Sequence, residues 1–252
     1  MMMELEKSIV YGPVNSRRFG WDLGINLLPI HRKLCTFDCI YCQYGYSPPL
    51  KNEEPEFPDA SEIISEWQRK IQLARENGVI IFHTTFSGNG EPTMHPDFSR
   101  VVSKVVNWRN EHAPQIRLAI LSNGYRLHDP EIRDAMQKID EPIIKLDSAN
   151  SEKINLINRP LSKYSLGKLI ENLRKCGGVM IQSMFMKGWN DSRWDVLQWQ
   201  NALLQIRPKS VQIYTLARPT PLAGLCPLGE GELLRIADET TRLLNIPVQA
   251  FV

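Results

Sequence analysis

Residues 34–45 read LCTFDCIYCQYG and hold three of the five cysteines of the chain. Cys35, Cys39 and Cys42 follow a Cys-x3-Cys-x2-Cys spacing. Thiolates at this spacing can ligate three irons of a cubane cluster. They can also supply three of the four ligands of a tetrahedral zinc, with His31, Cys176 or Cys226 as the fourth. Zinc sites usually pair their ligands, and neither Cys176 nor Cys226 has a partner nearby in sequence. Spacing therefore favours the cluster and leaves zinc open. An odd number of cysteines, three of them crowded together, reads as a metal site in a reducing compartment rather than a disulfide framework.

Around this loop the chain alternates short apolar runs with amphipathic segments. The runs are LGINLLPI (23–30), VIIFHTTFSG (79–88), IRLAILSNG (116–124), PIIKLDS (142–148), VMIQSMFMKG (179–188) and SVQIYTLARP (210–219). Each is rich in apolar or β-branched residues and followed by turn residues, as buried parallel strands are. Between them lie helical patterns. In 59–78, Asp59 or Ser61 offers an N-cap, Ile63, Ile64, Trp67 and Ile71 share a stripe, and Gly78 ends the segment. In 96–112 the stripe is Phe98, Val101, Val102, Val105 and Trp108, and 129–139 opens with Asp-Pro. Residues 165–178, 191–206 and 229–245 complete the set. Six strand–helix units predict an α/β fold, a partial (β/α)6 barrel short of the eight units of a closed one, with a doubly wound open sheet as the other architecture. The division expected is a short N-terminal extension, residues 1–22, and one core domain, residues 23–252.

The 252 residues are 42% hydrophobic and 23% charged, as in an ordinary globular chain. A net charge of +2 without a like-charge block neither demands nor excludes a nucleic-acid partner. No apolar run reaches signal-peptide or membrane-spanning length, so a cytoplasmic protein with no membrane partner is expected.

In such folds chemistry belongs at the carboxyl ends of the strands. After the second strand stands SGNGEPT (87–93). Gly88 and Gly90 would let the backbone approach a ligand closely, and Glu91 could hold a cationic amine. Ser122 and Asn123 could hydrogen-bond a sugar. Lys145, Asp147 and Ser148 follow the fourth strand, and Gln182, Met184 and Tyr214 alternate with apolar neighbours on the last two. Each has a plain reading: a turn at Gly-Asn-Gly, a loop at Ser-Asn-Gly, an ion pair of Lys145 with Asp147, core filler at Met184. Their shared position at strand exits is what those readings leave unexplained.

Taken together, CTFDCIYC (35–42), GNGEP (88–92), LSNG (121–124) and the six-unit rhythm resemble the radical S-adenosylmethionine (SAM) superfamily. The resemblance implies one 4Fe-4S cluster on Cys35, Cys39 and Cys42, its fourth iron chelating the amino and carboxylate groups of SAM. The reduced cluster would cleave SAM to a 5′-deoxyadenosyl radical, which abstracts hydrogen from a substrate. The family's Gly-Gly-Glu-Pro motif maps onto Gly88–Pro92, with Asn89 where many members have glycine. Glu91 would meet SAM's amino group, Tyr41 the adenine, and Ser122 and Asn123 the ribose. Asp147, Ser148, Gln182 and Met184 complete the implied cofactor-facing set. Lys145 and Asp147 are the candidate catalytic pair, with Lys145 donating a proton or pairing with SAM's carboxylate.

Within the superfamily, LGINLLP, KLDS, INRP (157–160) and VQIYTLARP (211–219) resemble a group related to the wyosine tRNA-modification enzymes. Those enzymes carry extra cysteines toward the N-terminus. None precedes Cys35 here, which argues against the wyosine reaction itself but not against RNA or nucleoside substrates. An auxiliary cluster needs three or four cysteines, and only Cys176 and Cys226 remain, both read as structural. Arg17, Arg18, His31, Arg32, Lys33, Arg159 and Arg218 read either as a solvated rim or as anion recognition, for which Arg is suited. An acidic electron donor, flavodoxin or ferredoxin, could use the same surface. Trp189, Trp194 and Trp199 read as packing or as base stacking. The substrate could be a small molecule, a nucleoside or RNA, or a peptide. Rival readings are a glycyl-radical-enzyme activase, against which KLDS counts, and a zinc-stabilised binding protein.

Overall fold

All six predicted strands form, and two more join them. The tertiary structure, a computed structural model, describes residues 2–16, 20–48 and 55–252. Strands β1 (Val10–Ser16), β2 (Gly20–Ile25), β3 (His83–Phe86), β4 (Arg117–Ser122), β5 (Glu141–Lys145), β6 (Met180–Met184), β7 (Ser210–Tyr214) and β8 (Val248–Phe251) lie in one open sheet in chain order. From β2 to β8 every pair is parallel, and β1 runs antiparallel to β2. Sequential order is that of a partial barrel, not of a doubly wound sheet, whose order reverses at a switch point. The six expected strand–helix units form, and β1 and β8 extend their sheet to eight strands.

The two additional strands carried weak signals. β1 contains Gly12-Pro13 and a register shift between Tyr11 and Val14, and proline within a run reads against a strand. β8 has only four residues. β1 and the first residues of β2 come from the stretch expected as an N-terminal extension, and both are paired into the sheet.

The helices are α1 (Ala60–Glu76), α2 (Phe98–His112), α3 (Pro130–Met136), α4 (Ser151–Ile157), α5 (Leu166–Cys176), α6 (Arg193–Ile206) and α7 (Glu230–Leu244). Asp59, Asp129, Asn150, Ser165 and Ser192 cap five of them by accepting backbone N–H bonds. Helix α4 was not expected, because seven residues are too few to display a helical period. The helices bury one stripe each against the outer face of the sheet, where Ile63, Trp67, Val102, Leu173, Trp199 and Leu233 meet Phe86, Ile120, Ile144, Ile181 and Ile213. Buried indoles need a partner: Trp67 Nε1 donates to Thr84 Oγ1 at 3.1 Å and Trp199 Nε1 to Ser183 Oγ at 2.9 Å. Packing is therefore the role of Trp199, whereas Trp194 is exposed. Cys176 is buried in this core, as expected of a small apolar residue.

A second apolar cluster gathers Phe37, Cys39, Ile40, Tyr41, Ile157, Met184 and Met186, with Cys35 and Cys42 partly buried against it. It is separate from the helix-facing core and surrounds the cysteine loop. No helix among the described residues is long and apolar enough to cross a membrane.

Candidate active site

The cysteine loop leaves β2 and is laced on both flanks. On one side Leu34 runs parallel to Gly90: its N–H donates to Asn89 O at 2.8 Å, and its carbonyl accepts from Glu91 N at 3.0 Å. The approach is so close that a Cβ on Gly90 would stand 1.7 Å from the Leu34 carbonyl oxygen. Gly88 and Gly90 have φ of 140° and 144°, which glycine alone adopts readily. The glycines expected to admit a ligand thus first admit the chain itself, Asn26 at Gly88 and the cysteine loop at Gly90. On the other side the loop meets the segment after α4. Asp38 N donates to both Asn158 O (3.0 Å) and Arg159 O (3.1 Å), Ile40 N to Ile157 O (2.9 Å), and Leu161 N to Thr36 O (2.9 Å).

Lys33 ties the loop from within. Its ammonium is buried, donates to Gly45 O at 2.6 Å and lies 3.7 Å from Asp38. It therefore belongs to the loop's own frame and not to the basic rim read from the sequence. Arg159 and Arg218 are exposed, Arg159 over the Tyr46 ring at 4.9 Å. Arg17 and Arg18 lie outside the described residues.

Glu91 sits under the loop, 2% exposed. Oε1 accepts from Thr93 N (3.2 Å), Thr93 Oγ1 (2.7 Å) and Ser122 Oγ (2.7 Å), and Oε2 from Asn123 N (2.7 Å). Burial pushes this carboxyl above the usual carboxylate range, and these donors pull it back only in part. Ser122 and Asn123, expected at a ribose, here serve the loop and Glu91: the Asn123 amide also reaches Thr36 Oγ1 at 2.8 Å and Cys35 Sγ at 3.7 Å. Asn89 is turned elsewhere. Its Oδ1 accepts from Glu6 N (2.8 Å), and its Nδ2 donates to Glu6 O (2.9 Å) and Pro29 O (3.0 Å). Its side chain docks the N-terminal segment.

Asp147 organises the opposite wall. Its Oδ2 accepts from the Tyr41 hydroxyl and from Asn158 Nδ2 (2.6 Å), and its Oδ1 from Met184 N (2.8 Å). Lys145 Nζ is 3.8 Å from Oδ1, 3.1 Å from the Tyr214 hydroxyl and 5.1 Å from the Tyr41 ring centre. Burial alone would lower the lysine's pKa, but Asp147, Tyr214 and Cys39 outweigh it and raise it. This environment suits a cation paired with Asp147. Tyr41 is held neutral by burial and by Asp147, and burial pushes the free Cys39 thiol up to about 11.

The remaining expected residues separate by role. Met184 is buried in the cysteine cluster. Gln182 donates to Gln212 Oε1 at 3.3 Å across adjacent strands. Ser148 Oγ accepts from Asn150 N at 3.1 Å, a bond within its own turn. Cys226 is exposed, and Trp189 packs against the cysteine cluster. Two site residues had been overlooked. Asn190 donates to Asp147 O and Met184 O, each at 2.7 Å, joining the β5 and β6 exits. Asn158, within INRP, reaches Cys39, Tyr41 and Asp147. An asparagine in a loop carries no periodic signal, and the motif itself was the one available cue.

Three soft thiols from one loop, in an apolar wall, with amide N–H donors aimed at Cys35 and Cys39, suit an iron–sulfur cluster. Among the described residues no three His, Cys, Asp or Glu side chains converge as the ligands of a single metal ion would.

Comparison with known proteins is consistent with this geometry. A family model described as Radical SAM superfamily matches residues 30–199. A UPF0026 protein of Helicobacter pylori is 29% identical over 90% of the chain and 72% of its own length. A protein named GTPase Obg, of Brachyspira hyodysenteriae, is also 29% identical, but the chain spans only 31% of it. The human S-adenosyl-L-methionine-dependent tRNA 4-demethylwyosine synthase TYW1B is 22% identical over 62% of the chain and 25% of its own length. Among solved structures, a radical SAM methyltransferase from Sphaerobacter thermophilus aligns at TM-score 0.70 and 17% identity, over 91% of this chain and 65% of that one. TYW1 with a lysine-pyruvate adduct bound aligns at 0.65 and 16%, over 89% of this chain and 75% of that one.

Proposed function

Because the chain belongs to the radical SAM superfamily, whose members use a 4Fe-4S cluster and SAM, we propose that it reductively cleaves SAM and uses the 5′-deoxyadenosyl radical to abstract hydrogen from a nucleoside or RNA substrate. When bound, the reduced cluster supplies the electron that breaks SAM's sulfonium bond. Cys35, Cys39 and Cys42 hold it. Glu91 is the buried carboxylate that receives SAM's amino group, whose positive charge completes a neutralisation the neighbouring donors leave unfinished. Asp147 accepts from the Tyr41 hydroxyl, and Lys145 Nζ lies beside both.

The observation that carries this reading is the lacing of the cysteine loop. It gathers three thiols in one apolar cluster, with Glu91 linked to Cys35 through Asn123 and Asp147 linked to Cys39 through Asn158. Kinship with tRNA 4-demethylwyosine synthases supports the substrate class. The exposed Arg159 and Arg218 support docking of an acidic electron donor, flavodoxin or ferredoxin.

The test is anaerobic reconstitution followed by SAM cleavage with tRNA, free nucleosides and peptides. Four irons and four sulfides per chain, release of 5′-deoxyadenosine under reductant, and deuterium transfer from a labelled nucleoside are expected. One zinc per chain with no cluster would refute the enzyme. Deuterium transfer from peptide alone would move the substrate to the activase class.

A further inference from the structure

INRP and its arginine were set apart in the sequence, yet the proposed reaction gives Asn158 no part. The side chain is 2% exposed. Its Nδ2 lies 2.6 Å from Asp147 Oδ2, 3.4 Å from Cys39 Sγ and 3.5 Å from the Tyr41 hydroxyl oxygen. All three partners accept, so the amide nitrogen and not its oxygen must face them; an oxygen there would oppose a carboxylate and a sulfur. One hydrogen serves Asp147 and the other is left for the sulfur and the phenol.

The backbone holds this amide in place. The carbonyls of Ile157, Asn158 and Arg159 accept the N–H groups of Ile40 and Asp38, which flank Cys39. Arg159 has φ 47°, a left-handed conformation that is costly for a non-glycine residue and persists where its surroundings over-determine it. A brace built at that cost, with a buried donor aimed at one sulfur, does more than close a loop.

We propose that Asn158 is a positioning residue for the bound cluster: its amide donates to the Cys39 sulfur and raises the cluster's reduction potential. The proposal rests on the radical SAM reading above. Each added electron makes the cluster more negative, and a donor on a ligand sulfur stabilises the reduced form more than the oxidised one. Lys145 faces the same sulfur and acts in the same direction, while Asp147 opposes it. Asn158 donates to Asp147 as well, and so keeps that carboxylate engaged with Tyr41 and Met184.

The experiment is a dithionite-buffered potentiometric titration of the reconstituted holoenzyme, followed by electron paramagnetic resonance, for wild type, Asn158→Leu and Asn158→Asp. Leucine keeps the volume without a donor; aspartate keeps the shape and adds negative charge. Both are expected to shift the midpoint to more negative potential, aspartate more than leucine. A variant with full iron and sulfide and a wild-type midpoint would overturn the proposal. Should the Asn158 variants fail to load, an Asn123→Ser variant, which lacks the amide beside Cys35, answers instead. With 15N-asparagine its reduced cluster should still show a hyperfine coupling to an amide nitrogen in pulsed resonance spectra, and its absence would overturn the proposal equally. Failure to bind any 4Fe-4S cluster in wild type would instead defeat the underlying reading, so the two failures are distinct.

Discussion

Gly90 and Glu91 show how narrowly single residues are constrained here. Gly90→Ala places a methyl group 1.7 Å from a backbone oxygen at a φ of 144°. The expected result is loss of most iron from the reconstituted protein and a lower melting temperature. Gly167→Ala is the contrast: it lies within α5 with open space around it, so it should hold full iron and gain up to about 1 kcal/mol. Equal iron content in the two variants would mean that Leu34 is not held against Gly90. Glu91→Gln keeps the shape but turns an N–H toward groups that already donate. Leaving a buried donor unpaired costs roughly 1–3 kcal/mol, read as a lower urea midpoint of the apoprotein. An unchanged midpoint would show that these hydrogen bonds do not hold the Glu91 side chain in place.

At the level of elements, the end of α2 is fastened to the strands by Arg109. Its Nη1 donates to Ile116 O at 2.8 Å and to Asp140 Oδ2 at 2.6 Å, and the same carboxylate accepts from Leu118 N at 2.8 Å. Burial alone would raise Asp140, but Arg109 and the Leu118 N–H outweigh it and hold the carboxyl below the usual range. A depressed carboxylate adds stability above its unfolded pKa, about 3.9, and loses it as pH falls through the folded value. Arg109→Met should therefore cost about 1–2 kcal/mol at pH 7, discounted because the carboxylate is partly solvated. The gap from wild type should close below about pH 4. Denaturation curves at pH 7 and pH 3.5 check this, and a gap that widens in acid would show that the pair is not its source.

Across the whole molecule the cysteine loop connects segments far apart in sequence. The N-terminal segment crosses it: Met3 N donates to Gln43 O at 3.0 Å, Tyr44 Oη to Glu6 Oε1 at 3.1 Å, and Asn89 grips the Glu6 backbone from both sides. Asn89→Ala should speed amide exchange at Glu6 while exchange in β4 and β5 stays at the wild-type rate; unchanged exchange at Glu6 would mean that other contacts hold the segment. A ligand that binds only the folded chain stabilises it by mass action. Stripping the cluster with a chelator should therefore lower the melting temperature and open residues 34–45 and 157–161 together. Opening of one without the other would show that the lacing does not couple them.

What the sequence determined by itself was local and periodic. Six strands, six helices, the cap before the first helix and the Asp-Pro start at 129 follow from apolar spacing and N-cap chemistry, because these act within a few residues of the chain. The cysteine spacing and the GNGEP and LSNG turns marked the site, since three thiols in eight residues must share one loop. Only the tertiary structure decided what those residues face. It joined β1 and β8 to the sheet through partners distant in sequence. It turned Asn89 toward the N-terminal segment, Lys33 into the loop, and Asn158 onto Cys39. It set Lys145 among Asp147, Tyr214 and Cys39, which raise its pKa. The physical reason is common to all: a polar side chain's role is set by the partner that satisfies it once buried, and that partner comes from elsewhere in the chain.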